Sequence, residues 1–179
     1  MYALLTLSLA RLGLTCLVFS VSWSTCASEL RMYGAIVTPI CRVASDSENI
    51  TINFGPVNAW HLYSTSRTSG IPFNIVLTDC EERWGGRLTV TIAGDESLDL
   101  PGYLAVSTGG TPTGIAIGIE TTEGKHQPIN VPGESYRYYK GETVISMAAY
   151  LQAEPRALQN REMVAGSFFA IGQFTLNYN

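Results

Sequence analysis

Cys41 and Cys80, 39 positions apart, are the residues of this chain best placed for covalent chemistry. His61 and His126 stand alone, without the HExxH-type spacing that would set two imidazoles on a metal. They read as ordinary surface residues, His61 in a loop beside Trp60 and Tyr63, His126 after a Glu-Gly turn. Asp95, Glu96 and Asp99 cluster near a turn, where a solvated loop accounts for them better than calcium ligation. The glycine-rich stretch from Ser107 to Gly114 has no lysine and opens no helix, so it is no phosphate cradle. No GxSxG elbow, Ser-His-Asp set or paired-carboxylate motif appears. The expectation is a protein without catalysis, cofactor, metal or small-molecule substrate.

The first 27 residues read as a signal peptide rather than as part of the fold. Leu12 to Trp23 is an apolar run of 12 residues after Arg11, and Thr25 and Ala27 are small residues where a signal peptidase reads. The run is shorter than the roughly 20 residues that cross a bilayer. Cleavage after Ala27 removes Cys16 and Cys26 and leaves Ser28 to Asn179. An exported chain with two cysteines, Cys41 and Cys80, reads as holding one disulfide. A metal pair or a reactive thiol lacks a nearby histidine or third ligand. Closing a loop of this length would contribute roughly 4 kcal/mol in the chain-entropy account.

Composition narrows the class further. Hydrophobic residues make up 46%, aromatics 10% and charged residues 15% of the 179 positions, a mix unlike disordered chains or coiled coils. The net charge of −4, with no window rich in Lys or Arg, argues against a nucleic-acid partner.

Hydrophobic period two positions the rest. Ile50–Phe54, Pro72–Thr78, Arg87–Ile92, Tyr103–Val106, Gly114–Ile119, Tyr136–Tyr139 and Val144–Leu151 are short runs rich in β-branched and aromatic residues. Gly85-Gly86, Pro101-Gly102, Gly109-Gly110, Glu123-Gly124 and Pro132-Gly133 supply turns. Only Glu154–Val164 could hold a helical turn or two. Some eight strands without interleaved helices predict one all-β domain, a β-sandwich. The last run is the most informative. From Gly166 it alternates, with Phe168, Ala170, Gly172, Phe174, Leu176 and Tyr178 on one face, and it stops one residue before Asn179. Read alone, it is either a last strand paired within the domain or one whose neighbour comes from elsewhere.

Five segments in order resemble the subunits of bacterial chaperone–usher fimbriae, the pilins, most nearly the minor tip or adaptor kind found in P and type 1 fimbriae. They are Gly34–Cys41, Phe54-Gly55-Pro56-Val57, Pro72–Cys80, Gly114–Ile119, and the C-terminal run with Gly166 fourteenth from the end and Tyr178 penultimate. The resemblance implies an incomplete immunoglobulin-like β-sandwich lacking its last (G) strand and completed by a strand from another protein. It divides the chain into a signal peptide (1–27), an N-terminal donor-strand extension (28–37) and a pilin domain (38–179). It further implies export through the periplasm to a cell-surface fimbrium. A periplasmic chaperone, an outer-membrane usher and neighbouring subunits would be the partners, in support of cell adhesion.

On this reading Leu30, Met32, Gly34 and Ile36 alternate on the inward face of the donor strand. Gly166, Phe168, Phe174, Leu176, Tyr178 and Asn179 form the chaperone and acceptor groove, with the Asn179 carboxylate near the chaperone's basic anchor. Burying three donor side chains is worth very roughly 5–9 kcal/mol before ordering costs. An exposed apolar edge of this kind is an aggregation hazard until it is covered. The competing readings are a sugar-binding tip adhesin, which in this family needs about twice the length and lacks a donor segment, and an unrelated secreted β-sandwich. Trp60, Trp84 and Pro101–Tyr103 set the chain apart from rod subunits, which carry almost no tryptophan.

Overall fold

The computed structural model describes residues 40–81, 86–107 and 114–179. The expected signal peptide, the donor residues Leu30, Met32, Gly34 and Ile36, and Trp84 lie outside the described residues.

The alternating runs become the strands of two facing sheets. Strands β1 (Arg42–Val43), β2 (Ile71–Cys80), β4 (Leu104–Ala105), β5 (Ile115–Thr121) and β8 (Gly141–Ala153) form one sheet in the order β1-β2-β8-β5-β4, and β6 (His126–Gln127) pairs with β5. Strands β3 (Arg87–Gly94), β7 (Pro132–Arg137) and β9 (Gly172–Tyr178) form the other, in the order β7-β3-β9. Every pairing is antiparallel. Ile75 sits opposite Ile145, Ile117 opposite Leu151, and Val90 opposite Leu176. The core between the sheets is built from Ile75, Leu77, Leu88, Val90, Ile145, Met147 and Leu151, all essentially inaccessible to water. This is the all-β sandwich that the period-two pattern predicts.

Cys41 and Cys80 form a disulfide. It closes the end of the β1–β2 pair, where Arg42 lies opposite Thr78, and so holds the two-residue edge strand β1 to its neighbour.

Three local expectations change. Ile50–Phe54 alternates as read, with Ile50, Ile52 and Phe54 half-buried and Thr51 and Asn53 exposed, but among the described residues it pairs with no strand and has no sheet assignment. His61 lies not in a loop but in a helix, α2 (Ala59–Thr65). Asn58 caps that helix by accepting from the Trp60 N–H at 2.9 Å, and Ser66 ends it in the left-handed conformation. Pro132-Gly133 starts β7 instead of turning the chain. The turn falls at Asn130, whose φ of 61° suits its side chain, and whose amide exchanges hydrogen bonds with the Gly94 backbone at 3.0 and 3.1 Å. Two further short helices are α1 (Ser45–Glu48) and α3 (Pro155–Asn160), the latter within the expected helical stretch and started by a proline at its first turn.

Candidate functional site: an apolar groove beside the C-terminal strand

The second sheet is narrower than the first, and the consequence appears at β9. Its one partner among the described residues is β3. The Ile92 carbonyl accepts from the Asn130 N–H at 2.7 Å, and the Val90 carbonyl accepts from the Gln127 side chain at 3.1 Å; both bonds leave β3 on the side away from β9. In an antiparallel ladder, the residues opposite such groups turn their own N–H and C=O outward. Those residues are Phe174 and Leu176. Nearer Gly166, Phe169 exchanges two backbone hydrogen bonds with Ser107, at 2.8 and 3.0 Å, which uses its inner edge. Among the described residues the C-terminal strand therefore has one paired side and one side of main-chain donors and acceptors with no strand beside it.

Beside that free edge lies an elongated cavity of about 980 Å³. One wall is the Val164–Phe174 stretch, the other is the unpaired Ile50–Val57 segment, and the floor is the inner face of the larger sheet at Phe73, Ile75, Ile117, Ile119 and Ala149. The two walls meet at Phe54 and Phe168, whose ring centroids are 6.1 Å apart. None of the lining residues is charged. The cavity can take apolar side chains on its floor and pair a main chain along its edge.

The expected groove residues divide. Gly166, Phe168 and Phe174 line the cavity. At Gly166 an added Cβ would meet no atom within 4 Å, so the cavity is open there. Leu176, Tyr178 and Asn179 are not part of that lining. Leu176 and Tyr178 continue the inward face and pack half-buried on the core. Tyr178 meets Tyr138 edge-to-face at 5.7 Å, and burial pushes its hydroxyl pKa up, with Tyr138 adding to the shift. The Asn179 N–H donates to the Arg87 carbonyl at 2.9 Å.

A family model described as fimbrial protein matches residues 30–179. The chain belongs to the fimbrial protein family. It is a fimbrial subunit homologous to minor and adaptor pilins, which excludes the unrelated β-sandwich considered above. It is 28% identical to a chain of Proteus mirabilis (strain HI4320) described as minor fimbrial subunit PmfF, covering 96% of this chain and 98% of that one. It is 30% identical to the fimbrial adapter PapK of Escherichia coli, covering 85% of this chain and 88% of that one. In fold it is similar to the crystal structure of the P pilus rod subunit PapA, with a TM-score of 0.69 at 21% identity, over 79% of this chain and all of that one. The family's proteins are structural subunits of fimbriae.

The fimbrial subunit also carries a polar and aromatic cluster that its sequence did not announce. It lies on the outer face of the larger sheet. His126 is half-buried, against the expectation of an ordinary surface residue: it stacks on Tyr103 at 4.2 Å, and its Nδ1 lies 3.1 Å from the Tyr150 hydroxyl. The Arg67 guanidinium covers the Tyr150 ring at 3.7 Å while pairing with Glu120 at 2.8 Å. Burial lowers the His126 pKa and raises that of Tyr150. Gly118 of β5 makes room for the two tyrosines, since a Cβ there would strike the rings of both Tyr150 and Tyr103. With the tyrosine hydroxyls, the His126 Nδ1 and the Arg67–Glu120 pair engaged among themselves, the cluster reads as packing. Of the acidic residues near the turn, Glu96 accepts from the Gly102 N–H within the loop, and Asp99 lies 3.7 Å from Arg156 of α3.

Proposed function

We propose that the groove beside β9 is the acceptor site for a donated β-strand, the place of a missing G strand in an immunoglobulin-like sandwich. A periplasmic pilus chaperone covers it first. The N-terminal segment of a neighbouring subunit replaces that cover when the outer-membrane usher adds the subunit to the fibre. Residues 28–37, ahead of a pilin domain spanning 38–179, are this chain's own donor strand, freed by removal of the signal peptide 1–27. The protein's role is structural and not enzymatic: it is a minor or adaptor subunit of a cell-surface fimbrium that supports adhesion.

The observation that carries this reading is the free edge of β9 above an uncharged apolar groove. Such an edge pairs with an added strand, with main-chain hydrogen bonds giving affinity and alternate side chains filling the pockets. Left bare, it invites edge-to-edge aggregation, which is why a covering protein is needed. The place in the fibre is supported by the likeness to PmfF and PapK; the fold itself is shared with a rod subunit and does not discriminate.

Co-expression with the periplasmic chaperone of the same fimbrial system tests the proposal. The expected result is a soluble one-to-one complex, with aggregation or degradation of the subunit expressed alone. A stable, soluble monomer produced without any chaperone would contradict it.

A further inference from the structure

We infer that Trp60, at one end of the groove, seats the body of the subunit whose strand fills it, and that Tyr139 of that subunit is the residue it receives. The inference rests on the acceptor reading above and concerns a contact between the two domains, outside the donated strand. Trp60 is 70% exposed on α2 and meets Tyr63 edge-to-face, with ring centroids 6.2 Å apart. Tyr63 is fixed in turn, its hydroxyl accepting from the Met163 N–H at 3.1 Å. Around this pair Asn58, Ala59, Leu62, Met163 and Val164 line the groove, and Val164 is itself half exposed. The indole therefore stands on the rim of the groove near Gly166, held in place and mostly uncovered.

Strand β8 sets this rim far from the disulfide. Where α2 ends, the Ser66 carbonyl accepts from the Ala153 N–H at 2.8 Å; at the other terminus of β8, Gly141 lies opposite Cys80. The 13 residues of the strand span about 40 Å. Tyr139 stands at the disulfide end and is 63% exposed. Its backbone exchanges hydrogen bonds with the Thr143 hydroxyl at 2.9 and 3.4 Å, which fixes the turn that presents it. One chain thus carries an exposed aromatic side chain at each end.

Strand donation brings the two ends together. Every strand pairing in the domain is antiparallel, and a strand that continues the pattern beside β9 runs from the Asn179 end toward Gly166. Residue 37 of the donor then lies near α2 of the acceptor. Cys41 follows four residues later, a reach of at most about 14 Å. So short a tether holds the donor's disulfide end, and Tyr139 with it, against the rim that carries Trp60. A Trp and a Tyr removed from water together form the kind of contact that dominates small interfaces. The occupant is a second copy of this chain, which carries the strand, the tether and Tyr139 in one molecule. Because the two residues sit at opposite ends, the contact is head-to-tail and repeats along a fibre.

Tryptophan fluorescence with acrylamide quenching tests this. The acceptor is the full subunit carrying Trp84→Phe, so that after removal of residues 1–27 Trp60 is its one tryptophan. It is released from its chaperone in one sample by the peptide 28–37. In the other it is released by a second copy carrying Trp60→Phe and Trp84→Phe, whose own groove the peptide already fills. The second copy is expected to remove most of the quenching of Trp60 and shift its emission to the blue, whereas the peptide leaves both as in an exposed indole. Tyr139→Ser in the donating copy should restore quenching, and Tyr139→Phe, which keeps the ring, should not. Equal quenching in the two complexes, or protection by the peptide alone, would overturn this inference and leave the acceptor reading standing. Insertion of the peptide but not of the second copy would also overturn it, because the two bodies would then clash at the rim. Protection that survives Tyr139→Ser would contradict the pairing of Tyr139 with Trp60. Failure of both donors to displace the chaperone would overturn the acceptor reading and this inference with it.

Discussion

Phe174 lies directly opposite Ile92 in the β3–β9 ladder, and the Ile92 carbonyl is turned away to the Asn130 N–H at 2.7 Å. The Phe174 main chain is therefore left facing the groove while its ring points inward to line it. One residue thus borders the cavity with both its main chain and its apolar ring.

Phe174→Asp should abolish capture by the chaperone, because a carboxylate against an apolar strand is poorly solvated. Thr175→Asp, on the exposed face one residue along, should leave capture near the natural level. Yield of the co-purified complex reads both. Equal yields for the two variants would count against the groove.

The Cys41–Cys80 disulfide should be complete in protein taken from the periplasm, with no free thiols after unfolding without reductant. Replacing both cysteines by serine should lower the stability of the strand-filled subunit by about 4 kcal/mol, because the loop closed by the bond spans 39 residues. Denaturant unfolding of the parent and variant complexes with a donor peptide measures the difference.

Much of this arrangement can be read from residue order, because the signals involved are local. The alternation of Pro72–Thr78, Arg87–Ile92 and Val144–Leu151 matches β2, β3 and β8, whose alternate residues face the core. Likewise, the inward set Phe168, Phe174, Leu176 and Tyr178 keeps its face. Ile50–Phe54 shows what alternation does not report: it records one buried and one exposed face, and a groove wall has both without belonging to a ladder. Helix α2 buries only Leu62, too little to leave a helical period in seven residues. The His126 cluster joins residues 67, 103, 120, 126 and 150, which no short window contains. The one local hint is that outward positions of β5 hold Ala116 and Gly118 where a solvent-facing strand would carry polar residues.

His126 should make stability depend on pH. Burial is the main cause of its lowered pKa, with Arg67 adding in the same direction and the Ile119 backbone and Glu120 opposing. The unfolded chain therefore binds a proton near pH 6.5, before the folded one does. The resulting stability is fully present above that pH, declines as pH falls toward the folded-state value, and is level below it. His126→Gln should flatten the fall in Tm of the peptide-filled subunit between pH 7.5 and 5.5. An unchanged fall would assign the dependence to other groups.

Gly118→Ala should destabilise the subunit by about 1–3 kcal/mol, the usual cost of overpacking, because the new methyl would meet the Tyr150 ring. Capture by the chaperone should persist, since the cluster lies on the sheet face away from the groove. Tm and complex yield measured together separate the two effects.

Deleting residues 28–36 tests the central claim most directly, with chaperone-complex yield and incorporation into fibres measured side by side. A donor strand makes no essential contact within its own domain. The account therefore predicts that the shortened subunit folds, forms the Cys41–Cys80 bond and is captured by the chaperone as before, yet fails to insert into a preceding subunit, so fibres lose it. An ordinary first strand would behave oppositely, its loss exposing core and unfolding the domain. Loss of the chaperone complex on deletion, or normal incorporation without residues 28–36, would contradict the account.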